Sequence, residues 1–316
     1  MLPSALKIAL FALVFTSATF NAIAKPIIKG EDNFEFIYQA TIPQLTEDAR
    51  LWLPLAQSDR NQKVDTVSIT APGDYLIQEE SKFGNRYLFV ELSPKMSGRT
   101  VEIVYTVQRT ENTGEPLSEL GENAAKYLTP SSLVPRNARL ANIAKQATSA
   151  YSNHDAKARK LYWHTLEEMR YDKSGAGWGR GDAMRACDSK NGNCTDFHSY
   201  FIALARTQDV PARFSIGFTI PADRNEGKIK GYHCWAEFYT DGKWTPVDIS
   251  EADKYPELQD YYLGNHPANR FQFTVGRDLE LEPAPQSGPL NYHIYPHLEV
   301  AGEPVEVETY FRYKRL

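Results

Sequence analysis

The sequence Asn191-Gly-Asn-Cys-Thr-Asp-Phe197 constrains the fold of this chain more than any other segment. Glycine and asparagine favour a tight turn, and the apolar residues after it recur at the spacing of one buried helical face. These residues are Phe197, Tyr200, Phe201, Leu204 and Ala205. Pro211 disfavours helix in the residue before it. The pattern therefore predicts a tight loop that opens a buried helix, with Cys194 in its first turn.

The predicted position of Cys194 favours an anionic sulfur. The first N–H groups of a helix have no intrahelical acceptor, and the helix dipole is positive at that end. An ordinary thiol, with a pKa of about 8.5, is mostly protonated at neutral pH, whereas the thiolate is the nucleophile. Cys194 is thus a candidate nucleophile, although a buried cysteine more often serves as a small hydrophobic residue.

A β-hairpin is predicted downstream, because Asp241-Gly242 separates two strand-like runs over residues 232–240 and 243–250. In the register of a two-residue turn, His233 faces Ser250. Asp248 is then a diagonal neighbour of His233 on the same face, about 7–8 Å away at the backbone. The hairpin therefore brings an imidazole and a carboxylate together.

Such a carboxylate orients the imidazole and favours its charged form, which in turn stabilises a nearby thiolate. We therefore predict Cys194 as nucleophile, His233 as base and Asp248 as the group that orients the base. His198 is a rival base, since it lies four residues after Cys194 on the same predicted helix. Asp196 is interpreted as a helix-start charge with a structural role.

The segments around these three residues resemble the transglutaminase-like superfamily of papain-type thiol enzymes. The matching stretches are Gly-Asn-Cys194-Thr-Asp-Phe, Ala-Arg-Thr-Gln-Asp-Val-Pro-Ala-Arg213, Gly-Tyr-His233-Cys-Trp-Ala-Glu-Phe and Trp244-Thr-Pro-Val-Asp248. The resemblance implies a Cys, His, Asp triad in which the thiol attacks an amide carbonyl and forms an acyl-thioester. It also implies an oxyanion site from the Cys194 N–H and an upstream donor, for which Trp178 is a candidate. No calcium site of the animal enzymes has a counterpart, and we expect no metal and no cofactor.

Two further cysteines, Cys187 and Cys234, are interpreted as structural. Side chains alternate along a strand, so Cys234 is expected on the face opposite His233. A Cys187–Cys234 disulfide would then leave Cys194 as the free thiol, which fits an exported protein. Trp235, next in the chain, either lines a substrate cleft or fills the core.

The N-terminal residues 1–24 have the pattern of an export signal: Lys7, an apolar run and the sequence Ala22-Ile-Ala24. Residues 25–112 contain short alternating strands separated by turn residues, which predicts a β-sandwich. Residues 113–136 are rich in proline, threonine and serine and are interpreted as a linker. Residues 137–316 are expected to form the transglutaminase-like catalytic domain.

The predicted fold class is therefore α+β: an N-terminal β-sandwich followed by a papain-like core of helices packed on an antiparallel sheet. The formal net charge of −5 argues against a nucleic-acid partner. We expect a periplasmic or secreted cysteine peptidase or amidase with a peptide or protein substrate, and membrane contact only through the cleaved signal. The alternatives are a protein-glutamine acyltransferase that cross-links proteins and a non-catalytic binding or assembly protein with a degenerate core.

Overall fold

The computed structural model describes residues 27–114 and 124–316. The predicted signal segment and residues 115–123 of the predicted linker lie outside these ranges. The N-terminal region forms the strands β1 (Glu31–Thr41), β2 (Ala49–Leu55), β3 (Gln62–Thr70), β4 (Tyr75–Glu79), β5 (Arg86–Leu92) and β6 (Thr100–Thr110). Buried residues alternate with more exposed ones along β1 and β6, as expected for strands with one face on a core. Sequence reasoning missed β4, in which Tyr75, Leu76 and Ile77 are all exposed.

The helices follow the sandwich strands. They are α1 (Ala138–Ala147), α2 (His154–Glu168), α3 (Ala183–Ser189), α4 (Cys194–Thr207) and α5 (Ile249–Lys254), with one-turn 3-10 helices at Pro94–Met96, Ala124–Leu128 and Pro256–Leu258. Every residue of α4 except Thr207 is buried, because α1, α2, α3 and α5 all pack around it. Among the described residues, no helix has both the length and the apolar character needed to cross a bilayer.

The second half of the chain also contains strands. They are β7 (Arg170–Tyr171), β8 (Asn191–Gly192), β9 (Ala212–Thr219), β10 (Glu226–Ile229), β11 (His233–Thr240), β12 (Lys243–Val247) and β13 (Arg270–Val275). An antiparallel sheet with the order β12-β11-β9-β13 carries α4 on one face, where Phe201 contacts Phe238 at a ring-centroid distance of 6.3 Å. Helices packed on an antiparallel sheet confirm the predicted α+β class.

The last strands are β14 (His297–Val300), β15 (Glu303–Val305) and β16 (Glu308–Arg315). They complete the sandwich, whose two sheets have the orders β10-β16-β1-β6-β3 and β15-β14-β2-β5-β4. Residues 137–316 are predicted to form one catalytic domain. Strand β14 pairs with β15 across the turn at Ala301-Gly302 and also with β2, whereas β16 pairs with β1. Both ends of the chain therefore contribute strands to the sandwich.

The sandwich and the central sheet share an aromatic core. Phe36 of β1 lies 5.2 Å from Phe218 of β9 and 5.0 Å from Phe271 of β13, measured between ring centroids. Phe311 of β16 lies 4.6 Å from Phe218. The sheet that carries His233 and Arg270 therefore rests on a packed aromatic layer, and such packing holds its strands in fixed positions.

Candidate active site

The start of α4 is fixed by a capping box. The Asn193 side chain accepts a hydrogen bond from the Thr195 N–H at 2.9 Å, and Asp196 Oδ2 accepts one from the Asn193 N–H at 3.0 Å. Asparagine at the N-cap and an acidic residue three positions later satisfy donors that a helix leaves unpaired. Cys194 is the first residue of α4, so its N–H has no intrahelical acceptor and points out of the helix end.

Asp196 also ties the glycine-rich approach to the helix. Its two carboxylate oxygens accept hydrogen bonds from the N–H groups of Gly179, at 2.7 Å, and Gly181, at 3.1 Å. A Cβ at Gly192 would lie 2.3 Å from Asp196 Oδ2, so only glycine fits there. These contacts agree with the structural role predicted for Asp196.

Cys194, His233 and Asp248 meet at the N-terminal end of α4. The His233 Nε2–H donates to Asp248 Oδ2 at 2.7 Å. The His233 imidazole also interacts with the Cys194 thiol, and this interaction lowers the pKa of Cys194 and raises that of His233. All three groups are buried, with 3% of Cys194 and 7% of His233 exposed. The structure thus brings together the three residues predicted as a triad.

Asp248 reaches His233 from a helix N-cap, whereas the predicted hairpin register placed Asp248 on a strand beside His233. Strands β11 and β12 pair as predicted from the Asp-Gly turn as far as Ala236 and Val247. The chain then leaves the strand, and Ser250, predicted to face His233, lies inside α5. Asp248 is the N-cap of α5, and this position turns its carboxylate toward the imidazole.

Each oxygen of the Asp248 carboxylate accepts two hydrogen bonds. Oδ1 accepts from the Ser250 hydroxyl and the Glu251 N–H, both at 3.1 Å. Oδ2 accepts from His233 and from Arg270 Nη2, the latter at 2.8 Å. Sequence reasoning did not identify Arg270, because 22 residues separate it from Asp248 and no local motif links them.

The charges of the site favour a thiolate. Burial by itself would raise the pKa of Cys194, but the hydrogen bonds from Cys234 and His233 and the imidazolium charge outweigh burial and hold this pKa well below its usual value. Burial would lower the pKa of His233, but the Asp248 carboxylate raises it overall. The pKa of Asp248 lies well below its usual value, because His233 and Arg270 outweigh the effect of burial. Both shifts act in favour of a thiolate–imidazolium pair.

His198, the rival base, is fully buried and both ring nitrogens are used. Its Nε2 accepts a hydrogen bond from the Ile249 N–H at 3.1 Å, so Nδ1 carries the proton and donates to the Cys194 carbonyl at 2.8 Å. Burial lowers the pKa of His198, in keeping with a neutral ring. His198 therefore links the starts of α4 and α5 and does not present a free nitrogen to the thiol.

The expected Cys187–Cys234 disulfide is wrong, since all three cysteines are free thiols. Cys187 lies on α3 in contact with the Tyr200 side chain. Cys234 contacts the Cys194 thiol, and its Sγ lies 3.8 Å from His198 Nδ1. Strand alternation correctly separates Cys234 from His233, but the face it occupies is the one covered by α4.

The two tryptophans predicted near the site occupy different environments. Trp178 lies on the glycine-rich segment and is 37% exposed, with Lys173 Nζ 5.5 Å from its ring centroid. Trp235 is only 1% exposed and packs behind His233, with 6.1 Å between the ring centroids. Trp235 also borders a cleft of ≈ 320 Å³ between the central sheet and the sandwich, whose walls include Arg109 and Glu237. Trp178, but not Trp235, therefore has surface available to a substrate.

Tyrosines near the sulfur form the other wall of the site. Tyr232 accepts a hydrogen bond from Asn193 Nδ2 at 3.0 Å, and the Tyr292 hydroxyl donates to the Gly179 carbonyl at 3.1 Å. Burial, together with the negative charge of Cys194, raises the pKa of Tyr171 and Tyr232. Tyr232 directly precedes His233 in the chain, whereas Tyr171 and Tyr292 come from distant segments.

In residues 27–114 and 124–316, no group of three or more His, Cys, Asp or Glu side chains is arranged to hold a metal ion. The polar side chains around Cys194 are hydrogen-bonded within the protein, as shown by His233 with Asp248 and Asn193 with Tyr232. The arrangement can form a thiolate, move a proton through one imidazole and donate backbone N–H groups at a helix start, which is the chemistry of acyl transfer to sulfur.

Comparisons with known proteins agree with this chemistry. The family model of the transglutaminase-like superfamily matches residues 141–249, which include Cys194, His233 and Asp248. An uncharacterized protein of Haemophilus influenzae is 26% identical over 320 residues, with 86% of each chain covered.

One solved structure shares the fold, and a second is similar at a lower TM-score. A candidate cysteine protease from Cytophaga hutchinsonii is similar with a TM-score of 0.62 at 16% identity, covering 91% of this chain and 92% of that chain. The periplasmic domain of TgpA from Pseudomonas aeruginosa, bound to ethylmercury, has a TM-score of 0.41 at 15% identity, covering 72% and 92%. The first of these similarities extends the shared fold to almost the whole length of the chain.

Proposed function

Because residues 141–249 carry a transglutaminase-like core, we propose that the protein is an exported thiol enzyme that acts on amide or peptide bonds. The observation that carries this proposal is the continuous chain of contacts from the Cys194 thiol through His233 to Asp248. A buried thiol without a function would not need a charged imidazole, since burial alone raises the pKa of a thiol.

The proposed reaction has two steps. The Cys194 thiolate attacks the amide carbonyl carbon, and the helix-start N–H of Cys194 stabilises the oxyanion that forms. The His233 imidazolium gives its proton to the leaving amine, which departs as the C–N bond breaks and leaves a thioester on Cys194. Neutral His233 then takes a proton from water, which attacks the thioester, releases the carboxylic acid and restores the thiolate. Trp178 is proposed as a further donor to the oxyanion.

Hydrolysis is proposed in preference to protein cross-linking. Cross-linking requires an amine to outcompete water for the thioester, and among residues 27–114 and 124–316 we identify no site that would bind such an amine. The proposal of export rests on the sequence of residues 1–24.

The direct test is to trap the thioester. The purified protein is incubated with the peptide and amide fraction of the native cell envelope, quenched in acid and examined by intact-protein mass spectrometry and peptide mapping. We expect an adduct on the tryptic peptide that contains Cys194 and none in Cys194→Ala. Cys187→Ala, which removes a buried thiol away from the site, is the matched control and should behave as wild type. A wild-type protein that forms no adduct and cleaves no member of a broad amide panel would overturn the proposal.

Adding a primary amine during the same incubation separates the two acceptors. Release of free carboxylic acid indicates hydrolysis, whereas incorporation of the amine into the acyl product indicates acyl transfer and would replace the proposed acceptor. A mass spectrometer distinguishes the two products directly, because water and the amine add different masses.

A further inference from the structure

Arg270 shares one carboxylate oxygen with the proposed base. Its Nη2–H donates to Asp248 Oδ2 at 2.8 Å, beside the 2.7 Å hydrogen bond from His233. The side chains of Arg270 and Asp248 are 1% and 0% exposed, so no bulk water screens the contact. Arg270 also donates from Nη1 to the Thr219 hydroxyl at 2.8 Å, across the pair of strands β13 and β9. The guanidinium is thus held by both a strand and the carboxylate.

The consequence concerns charge balance. A buried ion is costly unless an opposite charge compensates it. With Asp248 as the only partner, an imidazolium on His233 would form a neutral pair, and a thiolate on Cys194 would add an uncompensated negative charge. The positive charge of Arg270 compensates that negative charge. Cys194, His233, Asp248 and Arg270 then alternate in sign and sum to zero.

The other ionisable groups facing this chain do not change the balance. Glu251 and Lys254 form their own ion pair at 2.9 Å, and the pKa of Glu251 is lowered to about 2, so both are charged and cancel. His198 is neutral, Cys234 keeps its proton and the surrounding tyrosines are uncharged at neutral pH. On the sandwich side, Glu237 is paired with Arg213 at 2.6 Å and Arg109 with Asp59 at 3.7 Å. Burial lowers the pKa of His266 to about 3 and raises that of Tyr262, so neither ring is charged at neutral pH.

We propose that Arg270 is a positioning residue: it orients Asp248 toward the His233 ring and offsets the carboxylate charge, so that a thiolate on Cys194 adds no uncompensated negative charge to the buried site. This inference rests on the proposed function, because it explains how the same site keeps its nucleophile charged. It assigns no contact with the substrate to Arg270. Through its hydrogen bond to Asp248 Oδ2, Arg270 extends the row of contacts from Cys194 and His233 to a fourth residue.

The test measures thiolate formation directly. The rate of alkylation of Cys194 by iodoacetamide is recorded against pH in wild type and in Arg270→Met, with the modified peptide identified by mass spectrometry. Loss of the guanidinium charge should raise the apparent thiol pKa by a unit or more, which slows alkylation about tenfold per unit at acidic pH. Arg270→Lys loses the pair of donors to Thr219 and Asp248 but keeps the positive charge. Because the expected effect on the thiol pKa comes from that charge, the pH profile of this variant should stay close to that of wild type.

A buried arginine elsewhere provides the control. Arg206 is 5% exposed and donates to the carbonyls of Ala212 and Thr129, so Arg206→Met should lower stability without moving the alkylation profile. A folded Arg270→Met with the wild-type profile would overturn the inference. Circular dichroism and urea unfolding establish which variants are folded.

Wild type supplies a second readout if Arg270→Met does not fold. The inference requires that thiolate absorbance near 240 nm and a doubly protonated His233 ring, seen by ¹⁵N NMR, coexist at neutral pH. A neutral His233 beside a protonated thiol would overturn it. The alkylation assay uses no amide substrate, so an unreactive wild-type thiol refutes the proposed function, whereas a reactive thiol that ignores Arg270 refutes only this inference.

Discussion

The Nε2 atom of His233 lies 2.7 Å from Oδ2 of Asp248, and the carboxylate reaches the ring from the N-cap of a helix. An N-cap carboxylate is already held by backbone donors, here the Glu251 N–H at 3.1 Å. It therefore needs no further ordering to receive the imidazole N–H, and such preorganisation is what an orienting group in a triad requires.

Replacement of Asp248 by asparagine should separate orientation from charge. Asp248→Asn keeps the size of the side chain and an N-cap acceptor but removes the negative charge opposite His233. We expect the amide-cleavage kcat/KM to fall by a factor on the order of 10²–10⁴, and the pKa of His233, followed by NMR, to decrease. Asp188→Asn, at an exposed ion pair with Arg139, should stay within about twofold of wild type. Activity of Asp248→Asn near that of wild type would contradict the assigned role.

The pH dependence of activity follows from two opposite shifts. The pKa of Cys194 is lowered and that of His233 is raised, so the reactive thiolate–imidazolium pair exists between the two values. We expect kcat/KM to rise with pH through the lowered thiol value and to fall above the raised imidazole value, with a broad maximum between them. The measurement is kcat/KM against pH in constant-ionic-strength buffers. A single rise near the ordinary thiol pKa of about 8.5 would contradict the ion pair.

Asp196 is expected to stabilise the site more than an ordinary N-terminal helix carboxylate does. Asp196→Ala leaves the N–H groups of Gly179, Gly181 and Asn193 without their acceptor and should lower the free energy of unfolding by about 2–4 kcal/mol. Asp182, the N-cap of α3, serves for comparison, because it accepts only from the first turn of its own helix. Asp182→Ala should cost about 1 kcal/mol. Urea unfolding measures both, and equal losses would show that the glycine-rich segment is held by other contacts.

The C-terminal strand is expected to be necessary for the stability of the sandwich. Phe311 is 4% exposed and contacts Tyr38 and Phe218, with ring-centroid distances of 4.8 and 4.6 Å. Phe311→Ala should lower the free energy of unfolding by about 3–5 kcal/mol, because it opens a cavity between the sandwich sheet that contains β16 and the central sheet that contains β9. Leu76→Ala, at a side chain that is 58% exposed, should change it by less than about 0.5 kcal/mol. A small effect of Phe311→Ala in urea unfolding would mean that the sandwich is stable without the packing that β16 contributes.

Much of the site could be predicted from the sequence because its parts are local. The turn before Cys194, the start of α4 and the register of β11 with β12 each depend on residues within a few positions of one another. The hairpin prediction identified the right pair, His233 and Asp248, although the path is different. The register argument treated residues 243–250 as one strand, whereas the chain becomes helical at residue 249.

The sequence alone therefore determined the α+β class and which three residues, Cys194, His233 and Asp248, come together, since helix and strand periods and turn residues act over short stretches. Only the tertiary structure decided which distant segments complete these parts. It placed Arg270 on Asp248, set Cys234 beside Cys194, and paired β16 with β1. The physical reason is that such contacts depend on how the segments pack in three dimensions, and no short-range pattern in the chain encodes that packing.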